Sequence, residues 1–393
     1  MHRFMIVILT VTAAALCDIP DHTTAWSLFV QHGFEGSARI EDVIASERLT
    51  QFRLLCTTDA DGATGVWLLD LSADGTVLSR RELAAGTFDD SDWTVPRFLS
   101  GNRIVVACSS SPGDDPGLRF IDIGCPRGSA DISLAGLYPA AHSIQIAALQ
   151  PAGAGILMAG RAVFVEADDL LFAACADQQG KLIWKSNIGA YNCGLNSICL
   201  VPLNDGGCIL SPVADGFPAA IPLYRLGSGG DVVWSDLMEL ECDLHAAIND
   251  FQEMPNGNIV CTGSYDPLVS DGFRGFTACL DSSGEELWRR TDWYLDHSSF
   301  TEVINAGDTR ITLAGWMGIA GQRMLEVMYS DVLIALLRPN QDRIVGIGVE
   351  AEGDQTPRAV YPLEEGGFIV IGEHVPSNSS KTDIFLGRVR LET

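Results

Sequence analysis

The sequence predicts an all-β fold: a seven-bladed β-propeller of four-stranded antiparallel blades, closed by an N-terminal strand that completes the last blade. Three observations lead to this prediction. One phrase recurs seven times, a hairpin follows most of its copies, and the two ends of the chain complement each other. The composition agrees, because 47% apolar residues supply a large core and 40 glycines supply turns in a chain of 393 residues.

The recurring phrase is a turn containing Gly or Asn, followed by a short β-branched run. It reads GNRIVVAC from Gly101, GNIVCTG from Gly257 and GGFIVIG from Gly366. Its copies are anchored on Leu54, Ile104, Ile156, Ile209, Ile259, Ile311 and Ile369. A nearly constant period of roughly 50 residues is typical of a repeat architecture with one supersecondary unit per repeat.

A hairpin trails most copies of this phrase. FAACADQQGKLIW from Phe172 and LYRLGSGGDVVW from Leu223 both show an apolar strand, a polar turn and a second strand that reaches a Trp. Gly in these turns supplies the positive φ that tight connections require. A further apolar stretch precedes the phrase, as in INDFQEM at Ile248 and TEVINA at Thr301. Each repeat therefore holds about four strands, as a propeller blade does.

The chain ends complete the prediction. The seventh repeat stops with DIFLGRVRLET, which supplies its third strand, and the outer strand with its Trp is missing. The segment TTAWSLFV near the N-terminus carries Trp26, which matches the repeated Trp184, Trp234 and Trp288. We therefore predict that Thr24 to Val30 pairs outside Asp383 to Leu391, since this pairing removes two open sheet edges. The repeated Trp residues are predicted to pack between blades.

The first residues have the pattern of a secretory signal. Arg3 precedes a largely apolar run from Met5 to Leu16, and Ala13 to Ala15 supplies a small-residue cleavage pattern. We expect a signal peptide over residues 1–17 and a single propeller domain over residues 18–393. The location is then extracytoplasmic: secreted, periplasmic or at the cell surface.

Cys17 raises the alternative of a lipoprotein. A lipid anchor is not expected there, because Leu16 occupies the position where a lipobox has Gly, Ala or Ser. No later apolar run reaches the length that a membrane-spanning helix needs.

The charge is strongly one-sided, with 25 basic and 51 acidic residues and a net charge of −26. This argues against nucleic acid and anionic membranes as partners, because both are bound through clustered Lys and Arg. It allows cationic ligands and metal ions. We expect a monomer whose ligand is a protein, a peptide or a glycan.

Most of the 11 cysteines fall inside predicted strands, where a buried thiol acts as a small hydrophobic group. Cys56, Cys208 and Cys261, for example, occupy the same strand of different repeats. Cys193 and Cys242 fall in near-equivalent loops of adjacent blades, and a disulfide between them is left open, because spacing alone does not bring two cysteines together.

The combined phrases resemble the propeller repeats of exported bacterial proteins, which include the secreted bacterial propeller repeat and the pyrroloquinoline-quinone-like repeat. The resemblance runs from Trp26 to Leu391 and is carried best by Gly206-Gly207 with Trp234 and by Gly257 with Trp288. It implies the fold but no single function, because such repeats occur in assembly lipoproteins, surface proteins and oxidoreductases. Quinoprotein dehydrogenases use adjacent cysteines, which this sequence lacks, so we expect no quinone.

Ligand sites of propellers usually lie where the outer strand of one blade crosses to the inner strand of the next. Polar and aromatic residues at these predicted crossings are the candidate ligand residues: His142, His245, His297, Asp92, Trp93, Asn196 and Asp296. Three histidines at comparable crossings bind a divalent metal if they converge on one point. Solvated loops are the alternative interpretation.

No catalytic motif accompanies these residues. Asp59-Ala60-Asp61-Gly62 begins like a calcium loop but lacks the later acids, and the acidic run from Asp89 to Asp92 is the other calcium candidate. We therefore expect no cofactor, with calcium or another divalent metal as the alternative. The favoured function is a non-catalytic binding module or scaffold of unknown ligand, more in keeping with the sequence than an enzyme. The alternative is a hydrolase or lyase with a His/Asp site at the axial mouth of the propeller.

Overall fold

A computed structural model describes residues 23–30, 37–60, 63–88, 96–100, 103–108, 117–123, 130–134, 136–153, 155–190, 195–214, 220–240, 242–267, 273–291, 298–306, 311–320, 327–337, 344–349, 354–364, 367–376 and 381–391. Strands are the regular secondary structure throughout these ranges. They contain no helix with the length and apolar character needed to span a membrane.

Seven four-stranded sheets follow one another in the described residues, and the fold is the predicted all-β seven-bladed propeller with antiparallel blades. We number the blades in chain order. Blade 1 contains β2 (Ser37–Ala45), β3 (Gln51–Ala60), β4 (Ala63–Ser72) and β5 (Val77–Phe88). Blade 2 contains β6 (Arg97–Ser100), β7 (Arg103–Cys108), β8 (Gly117–Asp122) and β9 (Ala130–Ser133). Blade 3 contains β10 (Ser143–Ala152), β11 (Gly155–Val163), β12 (Leu170–Asp177) and β13 (Leu182–Ala190).

The next three blades repeat the same order, in which each strand pairs with its neighbour along the chain. Blade 4 contains β14 (Leu195–Pro202), β15 (Cys208–Ala214), β16 (Ala220–Leu226) and β17 (Val232–Glu239). Blade 5 contains β18 (Cys242–Glu253), β19 (Ile259–Pro267), β20 (Arg274–Leu280) and β21 (Glu286–Arg290). Blade 6 contains β22 (Ser298–Ala306), β23 (Ile311–Ala320), β24 (Val327–Leu337) and β25 (Ile344–Val349).

Blade 7 joins the two ends of the chain. Its strands are β26 (Asp354–Pro362), β27 (Phe368–Val375), β28 (Asp383–Leu391) and β1 (Thr23–Val30), and β1 takes the outer position. The pairing of β1 with β28 is antiparallel and runs without a break from Thr23 opposite Leu391 to Val30 opposite Ile384. The predicted closure by the N-terminal strand is therefore confirmed.

Glycine turns connect the third and fourth strands of the regular blades. Gly180, Gly230 and Gly284 each adopt a positive φ, between 79° and 92°. Their amides close the turns, as when Gly230 N donates to Gly227 O at 2.9 Å. The hairpin chemistry predicted from the sequence is thus present, because only Gly enters this region without strain.

The described residues form two compact units. One comprises the described parts of Met1–Leu54, Leu69–Arg80 and Asn249–Thr393, and the other comprises Leu55–Leu68 and Arg81–Ile248. Within the first, Met254 and Cys279 of blade 5 pack against Phe300 and Leu313 of blade 6. Within the second, residues of blade 3 such as Leu157 pack against residues of blade 4 such as Leu210. The core therefore lies between the faces of neighbouring sheets.

The strand cysteines take the role predicted for them. The side chains of Cys56, Cys175, Cys208, Cys261 and Cys279 are buried. Burial raises the pKa of the thiols of Cys208 and Cys261 to about 12, so both stay protonated and apolar. Cys193 and the side chain of Cys242 lie outside the described residues, and their disulfide remains a prediction.

Candidate functional site

The structure describes few of the predicted ligand residues. His142 is exposed just before β10, and its amide donates to Val163 O at 2.7 Å. Asn196 and His245 lie in β14 and β18, but their side chains are outside the described part of the chain. The remaining candidates outside the described residues are Asp92, Trp93, Asp296 and His297. Convergence of the histidines therefore stays a prediction.

A different set of polar side chains comes together within one compact unit, four of them on the first strands of blades 5, 6 and 7 and one on the second strand of blade 7. We call Asn249, Asp250, Glu302, Tyr361 and Glu373 the inner-strand cluster. Its members share one arrangement, because each reaches a backbone group on the first strand of the following blade. The cluster therefore links strands that share no backbone ladder.

The link from blade 5 to blade 6 uses two adjacent residues of β18. Asp250 Oδ2 accepts a hydrogen bond of 2.8 Å from the amide of Val303. Asn249 Nδ2 donates to Phe300 O at 2.6 Å and lies 3.1 Å from Ser299 Oγ. Side chains from the preceding blade thus bond both a carbonyl and an amide of the β22 backbone.

Glu302 makes the next link, from blade 6 to blade 7, and accepts a hydrogen bond from the amide of Val360. It stands directly after a register shift between Phe300 and Glu302 in the pairing of β22 with β23. Such a bulge re-aims the side chain that follows it. The other carboxyl oxygen of Glu302, Oε2, is buried without a hydrogen-bond partner.

Two residues make the link from blade 7 to blade 1. Glu373 Oε1 accepts from the amide of Ile40 at 2.7 Å, while its Oε2 accepts from Arg358 Nη2 at 2.8 Å. Tyr361 donates its hydroxyl proton to Val43 O at 3.0 Å. Glu373 therefore joins a backbone amide of blade 1 to an arginine of blade 7.

The carboxyl groups of Asp250 and Glu302 differ from Glu373 in having no cationic partner of this kind. Burial raises the pKa of Asp250 to about 7. Burial and the nearby charge of Asp250 raise the pKa of Glu302 to about 8. Burial, Glu302 and Asp42 also raise the pKa of Tyr361. The pair therefore holds protons at a pH where ordinary carboxylic acids are ionised.

This arrangement can exchange protons near neutral pH and can fix neighbouring strands, but it does not resemble a metal centre. In the ranges that the structure describes, no group of three or more His, Cys, Asp or Glu side chains is placed to hold a metal ion. Sequence reasoning treated INDFQEM and TEVINA only as strands. The signal that could have revealed the cluster is an acidic residue inside each of these strands, Asp250 in the first and Glu302 in the second.

The outer strands of the individual blades carry a second feature. Large apolar side chains are exposed on the fourth strands of several blades: Leu78, Leu182, Ile183, Val232, Val233, Leu237 and Leu287. In blades 3, 4 and 5 the pairing of the third and fourth strands shifts register at the same position. The fourth strand has one extra, unpaired residue there, which is Ile183 in blade 3, Val233 in blade 4 and Leu287 in blade 5. Exposed apolar groups of this kind mark interaction sites when they occur together.

No family model and no curated protein sequence matches the chain. Solved structures do resemble it in fold. The polysaccharide lyase Uly1 has a TM-score of 0.54 at 8% sequence identity, with 90% of each chain covered. The β-propeller domain of the Trilobed protease from Pyrococcus furiosus has a TM-score of 0.51 at 11% identity, with 89% of this chain and 95% of that chain covered.

The sialidase of Trypanosoma rangeli, solved with sialic acid, has a TM-score of 0.50 at 13% identity. The alignment covers 93% of this chain and 58% of the sialidase. A lyase, a protease domain and a sialidase share little chemistry, so these similarities show the fold and leave the function open. By its structure the chain is a β-propeller with distant structural neighbours of several activities.

Proposed function

We propose that the chain is a non-catalytic binding module that acts outside the cytoplasm and recognises a protein, a peptide or a glycan. The observation that carries this proposal is the exposure of large apolar side chains on outer strands, above all on β17 with Val232, Val233 and Leu237. Their exposure costs free energy in water, about 25 cal/mol per Å² of apolar surface, and a partner that covers them recovers it.

The inner-strand cluster supports the same proposal. Asp250 and Glu373 already accept backbone amides, and Glu373 also pairs with Arg358. A general base must instead reach the proton of a substrate. These carboxyl groups therefore have a structural task that explains their position without a reaction.

The binding function is tested with the purified chain on a random peptide display library and on a glycan array. We expect at least one ligand class to bind saturably, with one site per chain. Absence of saturable binding to both collections would contradict the proposal. Elemental analysis of the same sample checks the proposed independence from cofactors, since a stoichiometric metal would argue against it.

The location outside the cytoplasm is proposed from the pattern of Arg3 and the apolar run from Met5 to Leu16. Residues 1–30 fused to a phosphatase that is active only after export are expected to give activity in a bacterial host. Replacement of Leu9 by Arg is expected to abolish this activity. A fusion that stays inactive would refute the proposed export.

An enzyme is the second candidate, and one observation favours it. Asp250 and Glu302 form a coupled pair of carboxyl groups with pKa values near neutrality, as in acid–base sites. The structural similarity to Uly1, named a polysaccharide lyase, suggests polysaccharides as test substrates. A lyase leaves an unsaturated sugar that absorbs in the ultraviolet. Absorbance that appears with the wild type and disappears in Glu302→Gln would establish the enzyme, and no absorbance in the wild type would exclude this substrate class.

A further inference from the structure

Strand β17 is the outer strand of blade 4 and pairs regularly with β16 along most of its length. Its pairing with β16 runs without a break from Ala220 opposite Glu239 to Arg225 opposite Trp234. In the described residues β17 is the terminal strand of the order β14-β15-β16-β17. A terminal strand presents backbone N–H and C=O groups that another chain can pair with.

One backbone amide of β17 is bonded to a side chain of the same strand. The amide of Leu237 donates to Oδ1 of its neighbour Asp236 at 2.8 Å, and this bond is exposed. A bond between adjacent residues at the surface adds little stability, since water competes for both groups. An incoming strand can therefore replace it with a backbone carbonyl at small cost.

The side chains of β17 are unusually apolar for a solvent-facing strand. The exposed fractions are 42% for Val232, 51% for Val233 and 58% for Leu237. Val233 sits at the register shift that ends the regular edge, and Leu237 stands in the middle of that edge. A strand that pairs along Trp234 to Glu239 would place its own side chains beside Leu237.

The charge of this strand specifies the partner. Asp231, Asp236 and Glu239 are exposed, and no Lys, Arg or His occurs from Leu226 to Glu239. Other outer strands do carry basic residues, such as Arg80 in β5 and Arg289 in β21. Basic residues on edge strands oppose pairing with further chains. Strand β17 carries only acidic charges, which oppose acidic or identical chains and favour a basic partner.

We propose that β17 accepts an extended basic and apolar polypeptide segment as a fifth strand of blade 4. The inference rests on the proposed binding function and names its partner class. A second copy of this chain fits the edge poorly, because pairing β17 with itself brings acidic groups together on molecules with a net charge of −26. Recognition by strand addition takes affinity from backbone bonds and specificity from alternate side chains.

The test uses the full chain and a short fluorescent peptide of alternating lysine and valine, with binding followed by anisotropy. We expect saturable binding of one peptide per chain that weakens as salt rises. Leu237→Lys and Asp236→Lys are expected to weaken binding by tenfold or more. Ile183→Lys on β13 is the matched control, since Ile183 is also exposed on an outer strand, and is expected to change binding less than twofold.

Two further peptides separate backbone pairing from other contacts. Methylation of alternate backbone amides removes donors without changing charge, so the methylated peptide is expected not to bind. A peptide of alternating glutamate and valine is also expected not to bind. Binding of the lysine peptide that survives either β17 substitution or amide methylation would overturn the inference. So would a dimer of the chain that Leu237→Lys dissociates.

Failure of this inference is distinguishable from failure of the binding function. If the lysine–valine peptide does not bind while the library or the glycan array gives a saturable ligand, the partner class is wrong and the binding module stands. If none of the three probes binds, both are wrong. Thermal unfolding of each variant confirms that the exposed substitutions leave the fold intact.

Discussion

Gly230 shows why one residue type is required at a turn for two separate reasons. Its φ is +85°, and a Cβ atom built on it would lie 2.4 Å from Cε3 of Trp184. The Trp of blade 3 thus packs directly on the hairpin turn of blade 4, inside one compact unit. The predicted packing role of Trp184 between blades is confirmed by this contact and by its place beside the core of blades 3 and 4.

Gly230→Ala is therefore expected to lower the free energy of unfolding by about 1–3 kcal/mol, because it adds both backbone strain and a clash. Urea unfolding followed by tryptophan fluorescence measures this loss. Gly229→Ala is the matched control, since its Cβ would meet only Asp231 Oδ1 at 3.4 Å. Equal stability of the two variants would contradict this account of the turn.

The pair Asp250 and Glu302 makes stability depend on pH at the residue scale. Both folded-state pKa values are raised, to about 7 and about 8, so the folded protein holds protons that the unfolded chain releases above pH 4 to 5. The contribution of this pair to the free energy of unfolding is therefore largest at the acidic end of this window and falls as the pH rises toward 8. We expect a loss of more than about 1 kcal/mol between pH 5 and pH 8 from this pair.

Asp250→Asn with Glu302→Gln removes both titrations while keeping the shape of the side chains. The double variant is expected to lose the part of the pH dependence that the pair causes, measured as the difference from the wild type in unfolding free energy at each pH. Asp236→Asn, on the exposed outer strand, serves as the control. A double variant with the wild-type pH profile would show that the pair does not hold its protons as described.

At the scale of elements, the first strands of successive blades are joined by side chains where backbone pairing is absent. Glu373 is the best partnered of these links, with Ile40 N at 2.7 Å and Arg358 Nη2 at 2.8 Å. Its removal leaves the buried amide of Ile40 without its acceptor. This loss exceeds that of an exposed ion pair because the orphaned amide stays desolvated.

Glu373→Ala is expected to cost about 2–3 kcal/mol in unfolding free energy. Hydrogen exchange gives the more specific readout: the amide of Ile40 should lose protection, while amides of β16 keep theirs. Glu364→Ala in the same blade is the control, because Glu364 is exposed. Unchanged protection of Ile40 in Glu373→Ala would exclude the link.

The strands could be predicted from the sequence, whereas the side-chain bonds between blades could not, and the reason is physical. Strands repeat with a period, so Ile209 and Ile259 could be recognised as equivalent positions. A bond such as that between Ile40 and Glu373 joins residues 333 positions apart and has no period. The acidic residues of INDFQEM and TEVINA were visible, but their burial depends on the next blade, which composition does not reveal. Predicted candidates such as His297 were chosen by loop position, and that choice is still untested.

At the scale of the molecule, closure of blade 7 by β1 is the feature with the largest consequence for stability. Deletion of Thr23 to Val30 removes eight backbone pairs and exposes the edge of β28. We expect a lower thermal midpoint and concentration-dependent aggregation, measured by calorimetry and light scattering. A chain that lacks only residues 1–22 is the control, and equal midpoints for the two truncations would refute this role of β1.

The same pairing also sets the order in which the chain can finish folding. Thr23 is synthesised 368 residues before its partner Leu391. Blades 1 to 6 pair strands that are neighbours along the chain and can form as they are synthesised, whereas β1 must wait for β28. The entropic cost of closing a loop rises only slowly with its length. The long separation therefore delays the pairing of β1 more than it weakens it. Assembly therefore ends with a single late event, and until then β1 is an unpaired segment that a chaperone or a protease can reach.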